Sequence, residues 1–392
     1  MERIGIYGGT FNPPHLGHIT AAKYAIEVLG LDRLLVIPDR IAPHKTLPEG
    51  SASPEQRLEM LRIALAGEEK VTVSPLELER DGISYTYETI AQVRARYPKA
   101  ELILFMGTDM FLSFHKWKNP GLILQEASLA VFYRGEKGEV DRIDHWRERM
   151  QARGAQVYLI QNPVIPVSST TLRRLLFFRC ADSFLPAGVG DYIRENGLYG
   201  TGRDYRNLPM EELEKVVVSL LNPNRVAHVL GCRDTAVELA KHWGADETDA
   251  ARAGILHDIT KAIDGPLQLT LCQAYGKILS DFSRKYPKTL HALTGSLVAE
   301  QIFGEKDAVV SAICHHTTGK ANMTLLQKII YVADYIEPNR TIPGVQKLRQ
   351  LAFTDIDAAL QLGLEMTLEH LARQGSEVSP ESREALDYLY NR

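Results

Sequence analysis

A chain of 392 residues, 45% hydrophobic, 24% charged and formally −4 at neutral pH, reads as a folded protein of two or three domains, each able to bury its own core. Charges of both signs are interspersed, which excludes whole-chain disorder and leaves no broad basic footprint for nucleic acid. The apolar runs fall far short of the roughly 18–20 residues of a membrane span, and the opening MERIGIYGG has no apolar stretch leading to a cleavage site.

Over the first two hundred residues, strand-like and helix-like segments alternate. Arg3–Tyr7 is a short apolar strand, followed by glycines and an amphipathic stretch from about Gly17 to Leu29. Leu34–Pro38 is a second strand, Pro54–Leu65 a helix, Val71–Leu78 a strand by alternation, and Tyr87–Tyr97 a helix. Glu101–Met106, Leu129–Tyr133 and Val157–Ile160 complete the strands. Strands separated by helix-length segments predict right-handed crossovers and a parallel sheet covered on both faces. Near residue 200 the pattern changes. Beyond a glycine-rich linker at about 200–208, amphipathic helices follow one another, including Met210–Leu221, Ala227–Trp243, Ala250–His257 and Leu325–Ile336. The expected division is an α/β domain over 1–202 and an all-α domain over 203–392. Four cysteines, Cys180, Cys232, Cys272 and Cys314, lie far apart with no C-x-x-C pair. That spacing argues against a disulfide framework or a zinc–thiolate site, and for a reducing, cytoplasmic setting.

The first βα turn reads Gly8-Gly9-Thr10-Phe11-Asn12-Pro13-Pro14-His15-Leu16-Gly17-His18. Two glycines after a buried strand let backbone approach a ligand, and the helix that follows presents free N–H groups to an anion. His15 and His18, three residues apart at that helix start, can lean toward one spot. The string resembles the signature of the HxGH nucleotidylyltransferases. Their second motif is similar to Val167-Ser168-Ser169-Thr170-Thr171-Leu172-Arg173, where Ser168, Ser169 and Thr170 also suit a helix N-cap. The resemblance implies a Rossmann-like domain that transfers a nucleotidyl group without a nucleophilic side chain. In this reading Gly8, Gly9, Thr10 and Phe11 cradle the nucleotide and His15 and His18 donate to the triphosphate. Arg173 and Lys45, the latter in the Pro43-His44-Lys45 loop, neutralise its charge, with Mg²⁺ accompanying ATP. Ile83–Thr89, Met106–Met110 and Lys116-Trp117 resemble the nicotinate-mononucleotide adenylyltransferases within that superfamily. This implies Thr86 and Trp117 at the nicotinate and Asp109 at the ribose. Thr108 stands where many members carry Ala or Ser, a departure that bears on loop packing.

Seven of the twelve histidines follow residue 208. The order His228, His257-Asp258, His291, His315-His316, Asp334 has the form of the HD phosphohydrolase ligand set. Imidazoles and carboxylates without thiolates suit iron or another divalent transition metal, which activates water for P–O cleavage. His242 and His370 fit no part of this pattern. Residues 209–392 further resemble the HD-domain symmetrical hydrolases of diadenosine tetraphosphate. The strings that carry this are Arg225-Val226-Ala227-His228, Leu256–Lys261, Leu290-His291-Ala292, His315–Gly319 and Ile330–Arg340. Carried over, His228, His257, Asp258 and Asp334 hold the metal, while Arg225, Lys261, His291, His315, Thr317 and Arg340 surround the phosphates, with His291 and His315 open either to phosphate or to a second metal. His316, about 100° around a helix from its neighbour, has no assigned place.

The expectation is a bifunctional enzyme acting on ATP, nicotinate mononucleotide and diadenosine tetraphosphate, with no membrane or nucleic-acid partner; a homo-oligomer is compatible with the sequence. Rival readings are another phosphate-bearing acceptor such as phosphopantetheine for the first half, and another phosphoester or a nucleotide-sensing module for the second.

Overall fold

Six short apolar runs form the strands β1 (Arg3–Gly9), β2 (Arg33–Pro38), β3 (Val71–Val73), β4 (Glu101–Gly107), β5 (Ser128–Tyr133) and β6 (Val157–Gln161). They make one wholly parallel sheet in the order β3-β2-β1-β4-β5-β6. The computed structural model describes residues 1–43, 46–133, 138–152, 154–161, 163 and 165–391, and divides into the units Met1–Arg203 and Asp204–Arg392.

The sheet is apolar on both faces because alternate residues point to opposite sides. Leu102, Leu104 and Met106 of β4 join one core with Ile90, Val93, Ile123 and Ile143. Ile103 and Phe105 join the other with Ile19, Ala22, Ala25 and Leu61. This is the doubly covered parallel sheet the alternating pattern predicts and the Rossmann-like arrangement the resemblance implies. One strand is shorter than expected: Val71–Leu78 pairs only as far as Val73. Pro75 has no N–H to offer the ladder, and its carbonyl instead accepts from Leu78 and Glu79 in a turn. The sheet order reverses direction between β1 and β4. In such sheets the crevice outside the carboxyl ends at that point is where ligands bind. Gly8-Gly9 and Gly107 end those two strands.

Residues 204–392 contain helices and no strand among the described residues. Leu325–Ile336 forms as the apolar spacing predicts, with Thr324 and Gln327 completing a capping box. The expected Ala250–His257 helix runs instead over Glu247–Leu256, because the Asp246 side chain accepts from the backbone of Asp249 and starts it earlier. His257 and Asp258 thus follow the last turn. The Glu247–Leu256 helix packs against the Val226–Trp243 helix at Gly254, where a Cβ would lie 2.7 Å from the Arg233 Cα. Only glycine permits that backbone approach, which helps bring His257 to His228. Among the described residues no helix is long and apolar enough to cross a membrane.

Candidate functional sites

In the α/β unit, His15 is the N-cap of the Leu16–Val28 helix and its ring stacks on that of His18, with centroids 3.6 Å apart. His18 accepts the His15 backbone N–H through Nδ1 at 3.2 Å. In a neutral ring this places the proton on Nε2, which makes that nitrogen a donor. Phe11 lies edge-on to His18 at 5.1 Å. The two sequence motifs, some 150 residues apart, meet at this loop. Arg173 donates to the Asn12 carbonyl at 2.7 Å and to Thr170 Oγ1 at 3.2 Å, and Ser169 Oγ donates to the Pro13 carbonyl at 3.0 Å. Ser168 caps the Ser169–Phe177 helix by accepting from the backbone N–H of Thr171. Burial lowers the pKa of Arg173, with Tyr199 opposing.

The loop is anchored by residues that no local sequence signal marks. Arg57, wholly buried, donates to the Thr10 carbonyl at 2.6 Å and to Asp39 Oδ1 at 3.0 Å. Asp39 also accepts the Thr10 hydroxyl at 2.7 Å, so the Thr10 side chain is already engaged. Tyr199 donates to Asn12 Oδ1 at 2.7 Å, and Asn12 donates to Ser51 at 2.9 Å.

Thr86, Asp109 and Trp117 stand on three separate elements of the unit. Thr86 opens the Thr86–Arg96 helix. Asp109 is exposed in the first turn after β4. Trp117 is half-buried against Phe114 at 5.3 Å. Thr108 finds a use for its extra hydroxyl, which donates to the buried Glu139. Lys45 lies outside the described residues.

The helical unit brings together His228, His257, Asp258, His291, His316 and Asp334. Ligand-capable atoms of His228, His257 and Asp334 lie within 4.8 Å of one another, as do those of His257, Asp258 and His316. Nδ1 of His257, His291 and His316 contacts the carbonyls of Gly254, Lys288 and Ile313 at 2.7, 2.9 and 2.7 Å. Nδ1 of His228 contacts Glu337 Oε1 at 3.0 Å. These partners only accept, so each Nδ1 is the donor and each neutral ring is left with an Nε2 lone pair. Those lone pairs converge: Nε2 of His228 lies 3.3 Å from Nε2 of His257 and 3.0 Å from Asp334 Oδ1. Asp258 Oδ1, buried, has no hydrogen-bond partner and lies 3.4 and 3.7 Å from Nε2 of His291 and His316. Facing lone pairs and an orphaned carboxylate oxygen are a poor arrangement for one another and a good one for a cation. The donor set fits a divalent metal.

Burial opposes ionisation of Asp258, but His257 and His316 hold its pKa well below the usual carboxylate range. At Asp334, burial is likewise outweighed by His228 and Arg340. His291 is pushed down to about 3 by burial and by Lys261, so it stays neutral. Burial also opposes a charge on His257, yet Cys232 and Asp258 raise its pKa well above the ordinary value. The carboxylates around its Nε2 thus favour positive charge there.

The residues expected at phosphate ring this centre. Arg225 Nε donates to Asp258 Oδ2 at 2.7 Å and Arg340 to Asp334 Oδ1 at 2.5 Å. Lys261 Nζ lies 2.9 Å from His291 Nε2, and Thr317 Oγ1 contacts Nε2 of both His291 and His316. His315, half-buried and next to Lys320 and Glu381, stands outside this cluster, and His316 takes the interior place. The doublet closes its helix, and the rotation between adjacent residues lets only one face inward. The paired histidines were the available signal; their facing was not. Glu337 was also missed as a partner of His228, although it lies inside the quoted Ile330–Arg340 string.

A cytidylyltransferase-like family profile matches residues 6–175, and an HD domain profile matches residues 225–339. A probable nicotinate-nucleotide adenylyltransferase of Borreliella burgdorferi is 36% identical over 198 residues, spanning 50% of this chain and 96% of that protein. One of Dictyoglomus thermophilum is 36% identical over 198 residues, spanning 50% and 99%. A Clostridium acetobutylicum structure, described as a predicted HD superfamily hydrolase involved in NAD metabolism, is 35% identical, covers 47% of this chain and 98% of its own, and superposes with a TM-score of 0.46. With two signature strings joined at one loop and near-complete coverage of these relatives, the chain belongs through its first half to the nicotinate-nucleotide adenylyltransferase family, and it carries an HD domain in its second half.

Proposed function

We propose that the chain is a bifunctional enzyme. Residues 1–202 join AMP from ATP to nicotinate mononucleotide, giving deamido-NAD and pyrophosphate. Residues 203–392 split diadenosine tetraphosphate symmetrically into two ADP. The observation that carries the first activity is the meeting of Arg173 and Ser169 with the Asn12–Pro13 backbone beside the stacked histidines. The mononucleotide phosphate oxygen attacks the α-phosphorus as the bond to the β-phosphate oxygen breaks. His18 donates from Nε2 to the triphosphate, and His15, Lys45 and Arg173 supply the remaining positive or donating groups. Gly8, Gly9 and Phe11 line the nucleotide, Thr86 and Trp117 hold the nicotinate ring, and Asp109 holds the ribose. Magnesium accompanying ATP would offset part of the charge on the leaving pyrophosphate.

For the second activity the support is the convergence of imidazole lone pairs on two carboxylates. His228, His257, Asp258 and Asp334 would hold the metal, for which iron is our assignment. When bound it activates water and polarises a phosphoryl oxygen. Arg225, Arg340, Lys261 and Thr317 orient the phosphate chain, the arginines exchanging carboxylate for phosphate contacts. Lys261, its pKa lowered by burial, stands beside the neutral His291 as a proton source for the departing ADP.

One incubation series tests both assignments: ATP with nicotinate or nicotinamide mononucleotide, then diadenosine tetraphosphate with iron or manganese, each followed by product identification. Deamido-NAD with pyrophosphate, and ADP as sole hydrolysis product, are expected. AMP plus ATP from the tetraphosphate overturns symmetrical cleavage. Tight tetraphosphate binding without turnover points instead to a sensing module.

A further inference from the structure

We propose that Glu337 is the positioning residue of the metal centre, acting through His228, and that Gly231 exists to seat it. This rests on the metal-centre reading of the helical unit. Glu337 is 1% exposed, a place where a carboxylate persists only if each oxygen is partnered. Its Oε1 accepts His228 Nδ1–H at 3.0 Å. Its Oε2 accepts both the backbone N–H and the side-chain amide of Asn339, at 2.7 and 2.9 Å. The backbone here is held as firmly: Arg349 donates to the carbonyls of Ile336 and Glu337, each at 2.9 Å. A single segment therefore puts two carboxylates on one imidazole, Asp334 at Nε2 and Glu337 at Nδ1.

The other three rings, His257, His291 and His316, give Nδ1–H to neutral backbone carbonyls. His228 alone of the four gives it to a carboxylate. An anionic acceptor fixes the tautomer more strongly and makes Nε2 a better donor to a cation. Gly231 supplies the independent observation. It lies one turn after His228 on the same helix, and a Cβ there would come within 2.6 Å of Glu337 Oε2 and 3.3 Å of Asn339 Nδ2. Glycine is a poor choice inside an 18-residue helix; here it leaves the space in which the carboxylate lies.

The test uses the full chain with Co²⁺ as probe. Affinity is read by competition with a chromogenic chelator, and ligand field by the visible absorption of the Co²⁺ protein. Glu337→Gln is expected to weaken Co²⁺ about 10- to 100-fold and to shift the visible bands, with near-UV circular dichroism unchanged. Gly231→Ala, which favours the helix, is expected to weaken Co²⁺ as well. The double variant should bind no more weakly than Glu337→Gln alone, because both changes act on one carboxylate. Wild-type affinity and spectrum in Glu337→Gln, or additive losses in the double variant, overturn the role of Glu337. A wild-type protein that binds no Co²⁺ overturns the metal centre itself, and this inference with it.

Discussion

The two units collect opposite kinds of polar atom. At the carboxyl edge of the sheet the candidate site gathers donors: the Nε2–H of His18, the guanidinium of Arg173 and the backbone of a glycine turn. Inside the helical unit it gathers acceptors: imidazole lone pairs and the oxygens of Asp258 and Asp334. The first is built from loops tied to one another by hydrogen bonds. The second is built from side chains whose backs are satisfied by backbone carbonyls or, at His228, by the Glu337 carboxylate, and whose fronts face each other. A collection of donors suits an anion and a collection of acceptors suits a cation. The chemistry of each half thus follows the kind of polar atom it gathers.

The sharpest way to break this contrast is Asp258→Ala. It should abolish tetraphosphate hydrolysis and bound metal while adenylyl transfer continues; full metal content by elemental analysis would remove Asp258 from the ligand set. His18→Ala should slow adenylyl transfer about 100- to 1000-fold, as loss of a transition-state donor does, with hydrolysis intact. An unchanged rate takes His18 out of the mechanism. Arg57→Met leaves Asp39 beneath the glycine turn without its guanidinium. A cost of about 3–5 kcal/mol is expected, visible by calorimetry as destabilisation of the α/β unit; equal loss of metal binding in the helical unit would contradict the separation. Tyr199→Phe is the mildest. It removes one hydrogen bond from Asn12 Oδ1 and should cost about 1–3 kcal/mol while slowing adenylyl transfer only slightly.

Much of the fold is legible in the sequence alone. The alternation of apolar runs gave the parallel sheet, and Leu325–Ile336 forms with the bounds its periodicity set. Where reading failed, a local rule met a competing one. Pro75 ended a strand that alternation carried on to Leu78, and Asp246 began a helix before its first apolar residue. The site residues on short strings were legible because motif spacing is local. Arg57, Asp39, Tyr199 and Glu337 act across gaps of 18 to 187 residues, and no pattern in the chain records such a pairing.

By itself the sequence determined which residue types were available, on what kind of element, and at what spacing, since propensity and periodicity are properties of neighbours along the chain. Tertiary structure alone decided that His316 and not His315 turns inward, that Arg173 reaches Asn12, and that Gly231 lies under Glu337. Those choices depend on how close two backbones come and which way a side chain faces once packed. Such quantities arise only when distant segments compete for the same volume.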